Sequence, residues 1–301
     1  MAAVCILFKL TNTSSRDDTH AVPGHKTWQG RLQTMTETYS SIVASLGLVA
    51  ALFGVMWLIS IRTYNVGAID IVWGPGFALI AWFEWLRFAP QNPASVLVLL
   101  AVTLWGTRLG VHLFVRHRLS AHEDARYAAM RAADPDRFWW LSLVKVFMLQ
   151  AVILWLLALP IHLAMSAEAG QGPITAAGWL TGLGLIVFLA GFALEAAADL
   201  TLLRFQKNPA NRGRLLTTGP FAWSRNPNYF GECALWFGIG LMAWDASGQA
   251  VAMLGPVALT ALILKISGIP LKEDNLRRTR PEFADYEART SAFIPWPPRQ
   301  T

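Results

Sequence analysis

Within one octet, Arg225-Asn-Pro-Asn-Tyr-Phe-Gly-Glu232, a guanidinium, two amides, a phenol and a carboxylate crowd the edge of an apolar stretch. Such groups are costly in hydrocarbon unless they pair or bind something. Upstream, Glu195 and Asp199 lie four residues apart on one helical face, where they repel unless hydrogen-bonded or matched by cations. Arg204 closes that stretch, and Arg212, Arg214 and Arg225 follow across a connection. Guanidinium groups offer paired donors that suit phosphates and stay charged. Carboxylates suit ribose hydroxyls and amides. Together these residues describe a site for a phosphorylated nucleotide; the competing reading is a salt-bridge network at a membrane edge.

Further polar groups interrupt the apolar stretches. Arg108 and His112 share a face, with Arg116 one turn on. That basic stripe reads either as a binding channel or as partners for Asp70 and Glu84. Lys145, His162 and Lys265 read as interfacial or structural groups.

The elements that must hold these residues are membrane helices. At 54% hydrophobic and 15% charged, 301 residues are too apolar for a soluble domain. Seven apolar runs, near 40–61, 68–86, 94–115, 138–165, 174–203, 229–244 and 249–268, bracket the ~20 residues that cross a bilayer. The expectation is an all-α, polytopic membrane protein of about seven transmembrane helices. Arginines and lysines gather in the 116–137 and 204–225 connections and in the tail, whereas the opposite connections between spans hold only Arg87. The positive-inside rule then puts the C-terminus in the cytosol and the N-terminus outside. The net charge of +6 belongs to those loops, so nucleic acid need not be invoked.

Residues 1–34 carry Lys9, Arg16, Lys26 and Arg31 on the wrong side of that arrangement. They read as disordered, or as foreign to the native chain, with Met35 as a natural start. Residues 35–173 then form an N-terminal, substrate-side set of helices, and 174–301 a domain holding the cofactor site and tail. Cys5 and Cys233 make no disulfide framework. Ser120-Ala-His-Glu123 matches a helix capping box. The Gly/Pro-punctuated run 207–220 reads as an ordered loop, Gly268-Ile-Pro270 as a helix break, and the tail as an amphipathic helix against the mouth of the bundle. No Gly-x-Gly-x-x-Gly or P-loop is present. His112, His117 and His122 are five apart, which spreads them around a helix, so no metal site is expected.

The runs Asp199-Leu-Thr-Leu-Leu-Arg204, Gly219 to Glu232, Phe283-Ala-Asp-Tyr286 and Phe293-Ile-Pro295 resemble the steroid 5-alpha-reductase family, in its bacterial-type members. The resemblance covers about 174–298, with looser matches at Trp105-x-x-Arg108 and His112-x-x-x-Arg116. It implies a seven-helix fold in a bacterial inner membrane. Such a fold holds NADPH in its cytosolic half and reduces a conjugated carbon–carbon double bond in a lipid-like substrate. It further implies that Asn228, Glu232, Asp199, Arg116 and Tyr286 line or support the NADPH site, with Arg204 as a phosphate partner. The family's ketosteroid reducers carry a Gln-Glu pair on the second helix and a tyrosine after the span-three histidine. Here Phe83-Glu84-Trp85 and Leu113 stand instead, which argues against a ketosteroid.

For the proton that follows the hydride, the candidates are His112, Glu84 and Asp70, in that order, because histidine alone titrates near neutrality unaided. Glu273 and Asp274, just past the last span, could also reach the cytosolic mouth, but they read first as solvated tail carboxylates. The alternative is an S-adenosylmethionine-dependent methyltransferase of the isoprenylcysteine or phospholipid type. That group shares Arg-x-Pro-x-Tyr-x-Gly, and Lys272-Glu-Asp274 faintly echoes its terminal motif.

Overall fold

In the computed structural model, residues 23–119, 125–167 and 178–299 are described. Cys5, the capping box and most of the proposed N-terminal extension lie outside them. Every regular element among the described residues is helical. The chain divides into two units, residues 1–40 and 41–301. The described part of the first is the opening of helix α1 (Pro23–Thr63), so residues 23–34, read from sequence as disordered or as foreign to the native chain, are helical. No second proline follows Pro23 before residue 35, and Gly24 and Gly30 are each too weak to stop the helix.

In the second unit a 3-10 turn (Val66–Val72) leads into α2 (Trp73–Phe88), followed by α3 (Pro93–Leu119) and a short α4 (Ala125–Ala133). Asn92 caps α3 by accepting from the Ala94 N–H at 2.8 Å, and Pro93 suits the first turn. The fourth apolar run is broken. It comprises α5 (Phe138–Ser142), a π-helical turn (Leu143–Met148), α6 (Leu149–Leu157) and α7 (Leu159–Met165), with Pro160 opening the last. Then come α8 (Trp179–Lys207) and α9 (Pro227–Ser247). The chain finishes with α10 (Leu254–Lys265), α11 (Ile269–Thr279) and α12 (Phe283–Arg289). Gly248 stops α9 in the left-handed region (φ 69°), its N–H bonded to the Trp244 carbonyl.

Six segments are long and apolar enough to cross a membrane: Thr36–Thr63, Val66–Phe88, Pro93–Arg118, Phe138–Leu157, Trp179–Lys207 and Ala250–Thr279. Helix α9 has 21 residues and the length of a seventh, its hydropathy diluted by Asn228, Glu232 and Asp245. Large apolar side chains such as Leu86 and Trp179 lie more than 70% exposed, which suits lipid rather than water. The protein is an integral membrane protein.

Small residues set how closely the site-bearing helices approach. On α8, Gly184 and Gly191 face Gly231 and Gly238 of α9, each pair seven apart. A Cβ on Gly191 would lie 2.5 Å from the Leu235 nitrogen and 2.6 Å from the Gly231 oxygen. One on Gly231 would lie 2.6 Å from the Glu195 nitrogen. Backbone-to-backbone contact of this kind is how membrane helices pack where water supplies no hydrophobic drive. Gly74 and Gly106 join α2 to α3 in the same way.

Candidate functional site

Two helical turns of α3 and two of α8 meet at one guanidinium. Arg108 donates to Glu195 at 2.6 Å and to Asp199 at 2.5 Å, and the Trp105 indole N–H donates to the other Glu195 oxygen at 3.1 Å. His112 Nε2 stands 3.7 Å from Asp199, and the Asn228 amide donates to the second Asp199 oxygen at 3.3 Å. The repulsion between Glu195 and Asp199 is thus relieved by a cation from α3. The second of the two sequence readings for the basic stripe is not seen: the ion pairs of Arg108 are with Glu195 and Asp199, not with Asp70 or Glu84. Buried carboxylates demand such a partner, because charge without one is expelled from low dielectric.

This cluster forms one wall of an inner chamber of about 390 Å³. Asp70, His112, Asn228, Glu232 and Gln150 also line it, among Trp73, Phe77, Leu109, Ile153, Trp236 and Leu262. Two buried polar atoms here have no hydrogen-bond partner, Asn228 Oδ1 and the indole nitrogen of Trp236. Glu232 makes no hydrogen bond among the described residues.

A larger cleft of about 900 Å³ adjoins it. Arg116, Tyr229 and Ser267 line both spaces. The cleft carries Lys207, Arg212, Arg214, Lys272, Arg278 and Arg280 against a single lining carboxylate, Asp274. It brings together the expected Arg116, Arg212 and Arg214.

Two sequence expectations for this region are corrected. Arg225 edges the cleft, but four of its five N–H donors bond within the protein. They reach both oxygens of Glu273 at 2.8 Å, the Thr290 carbonyl at 2.7 Å and the Glu287 carbonyl at 3.1 Å. Glu273, read as solvated, is 4% exposed and is the other half of this clasp. Arg225 therefore fastens the tail. Tyr286 also supports the cleft, its hydroxyl donating to the Phe221 carbonyl at 2.6 Å, and burial pushes that hydroxyl well above the usual phenol range. Outside the clasp, hydrogen bonds from Arg277 hold the Glu287 carboxyl below its ordinary value.

Two further candidates fall outside both spaces. Arg204 is exposed and lines neither. Glu84 is fully buried and paired with His162 at 2.6 Å, so it does not reach the chamber that holds His112 and Asp70. Among the described residues no group of His, Cys, Asp and Glu could hold a metal ion. Sequence reasoning missed Glu273, Lys272, Trp236 and Gln150; the repeated charge of Lys272-Glu-Asp274 beside a helix break was the one available signal.

The family described as "Protein of unknown function (DUF1295)" matches residues 56–290. The chain belongs to this family. The family is steroid 5-alpha-reductase-like, in keeping with local matches to named reductases. Steroid 5-alpha-reductase DET2 of Arabidopsis thaliana is 36% identical over 72 residues, 23% of this chain and 27% of that protein. An uncharacterized protein of Schizosaccharomyces pombe is 28% identical over 230 residues, 68% of this chain and 65% of its own length. The cobalt-zinc-cadmium resistance protein CzcN of Cupriavidus metallidurans is 28% identical over 117 residues, 39% of this chain and 51% of that protein. The chain spans less than two thirds of the length of each of these relatives. No solved structure matches it.

Proposed function

We propose that this protein is a membrane-embedded, NADPH-dependent reductase of a conjugated carbon–carbon double bond in a lipid-like substrate. The observation that supports it is a basic outer cleft sharing walls with an inner chamber whose orphaned polar atoms match a carboxamide. The cleft offers guanidinium and ammonium groups to phosphates. In the chamber, Glu232 and Asn228 Oδ1 accept, while the Trp236 indole nitrogen donates, so an amide satisfies both kinds of orphan. The residues present therefore fit NADPH, with Lys207, Arg212 and Arg214 for its phosphates and Asn228, Glu232 and Trp236 for its nicotinamide. The similarity to DET2 favours the same chemistry.

Bound there, NADPH supplies a hydride to the electron-poor end of the double bond. The chain's own task is to orient, to exclude water and to deliver a proton. Arg108 holds Glu195 and Asp199 rigid before any ligand arrives. Asp199 in turn positions the His112 ring, whose Nε2 is the proton-holding atom we favour; Asp70 lines the same chamber and is the second candidate. The N-terminal half supplies the substrate wall and the C-terminal half the cofactor wall, with the basic cleft facing the cytosol. For the methyltransferase alternative, the glutamate that echoes the terminal motif, Glu273, is bonded to Arg225 and does not line either space.

The test is ligand-induced thermal stabilisation of the detergent-purified protein. NADPH is expected to stabilise it more than NADH does, through the extra phosphate. Stabilisation by S-adenosylmethionine and by neither nucleotide would overturn the assignment.

A further inference from the structure

Among the polar side chains of the chamber that the cofactor reading does not use is Gln150. Gln150 lies in the first turn of α6, immediately after the π-helical turn at Leu143–Met148. One extra residue in a turn rotates every later side chain by roughly 100° relative to an unbroken α-helix. That rotation brings Gln150 to the chamber wall, half-buried among Trp73, Phe77, Leu109 and Ile153. Its orientation is fixed by a neighbour: the Trp73 indole N–H donates to Gln150 Oε1 at 2.8 Å. An indole nitrogen only donates, so the oxygen end of the amide must face Trp73. The Nε2 end then reaches the Tyr127 hydroxyl oxygen through a long contact of 3.4 Å. An amide nitrogen carries two hydrogens, and this weak contact uses one.

An amide donor on an apolar wall calls for an acceptor from whatever fills the chamber. The chamber's charge narrows the choice. Asp70, Glu195, Asp199 and Glu232 line it; Arg108 matches only Glu195 and Asp199, and the lining cation Arg116 stands where the chamber meets the cleft, so carboxyls outnumber cations and an anionic acceptor such as a carboxylate is disfavoured. A neutral carbonyl oxygen is accepted. We infer that Gln150 is a specificity-determining residue that donates from Nε2 to the carbonyl oxygen of a neutral, apolar enone, and that Trp73 positions it. This rests on the reductase reading for what the enone is for, though the oxygen-binding role is measurable without cofactor.

The experiment is equilibrium binding of three probes to the full chain in nanodiscs, without nucleotide. The probes are (E)-non-3-en-2-one, its analogue 2-methylnona-1,3-diene with a methylene in place of the oxygen, and the (E)-non-2-enoate anion. The wild type is expected to bind the enone about fivefold more tightly than the diene, the worth of one neutral hydrogen bond, and to bind the carboxylate worst. Gln150→Met, of similar length and without a donor, should equalise enone and diene. Trp73→Phe keeps the donor but frees its orientation, and should cut the preference to about twofold; it also serves if Gln150→Met does not fold. Equal binding of enone and diene by the wild type, or an undiminished preference in the variants, would sink the inference. NADPH titration of the same samples separates the two ideas. A wild type that prefers the enone yet ignores NADPH loses the cofactor reading alone, and one that binds NADPH without that preference loses Gln150 alone.

Discussion

The inner chamber and the outer cleft treat charge in opposite ways. Inside, Arg108 is clamped between Glu195 and Asp199, with side-chain exposures of 18%, 3% and 7%. Outside, Arg212, Arg214 and Arg278 are exposed and form no ion pair among the described residues. The inner charges are already matched, so they hold a shape. The outer ones are unmatched, so they await a counter-charge. Stability should therefore depend on the first set and ligand affinity on the second.

That contrast breaks most sharply at Arg108. Arg108→Leu leaves two carboxylates buried without their cation, and removing one partner of a buried pair costs roughly 3–5 kcal/mol. A fall in detergent melting temperature is expected even without ligand; an unchanged melting point would show that the inner cluster is not structural. Gly191→Ala comes next. Its Cβ meets backbone atoms at 2.5 and 2.6 Å, which flexible side chains cannot relieve, so overpacking should cost about 1–3 kcal/mol. The smallest effect on stability should come from Arg212→Ala with Arg214→Ala. This pair is expected to leave the melting point unaltered while weakening NADPH binding about tenfold, less at high salt, since exposed charges are screened. Arg204→Ala, outside both spaces, should stay within about twofold of the wild type in the same titration. A larger loss from Arg204 than from the double variant would invert the placement of the phosphates.

The helices were legible because membrane spans are written in length and composition, which local sequence carries. The span-five carboxylates and the Asn228–Glu232 turn were legible too, as polar groups where hydrocarbon forbids idle ones. The partners were not. Arg108 lies 87 residues from Glu195 and 91 from Asp199, and helical periodicity names a face without naming the helix it meets. Arg225 misled for a related reason: a guanidinium beside a cytosolic loop looks the same whether it awaits a phosphate or grips a carboxylate. Only the burial of Glu273 separates the two. Glu84 shows the same blindness, because its match, His162, lies 78 positions away.

The clasp between Arg225 and the segment ending at Thr290 has a bearing on biogenesis. Arg278, Arg280 and Tyr286 border the basic cleft, so that cleft has no far side until almost the whole chain has left the ribosome. A nascent chain can insert its spans in order and still lack a complete basic cleft. The cleft is completed last, when the closing residues fold back onto the loop ahead of α9, and a chain cut short at Gly268 is expected to insert without it.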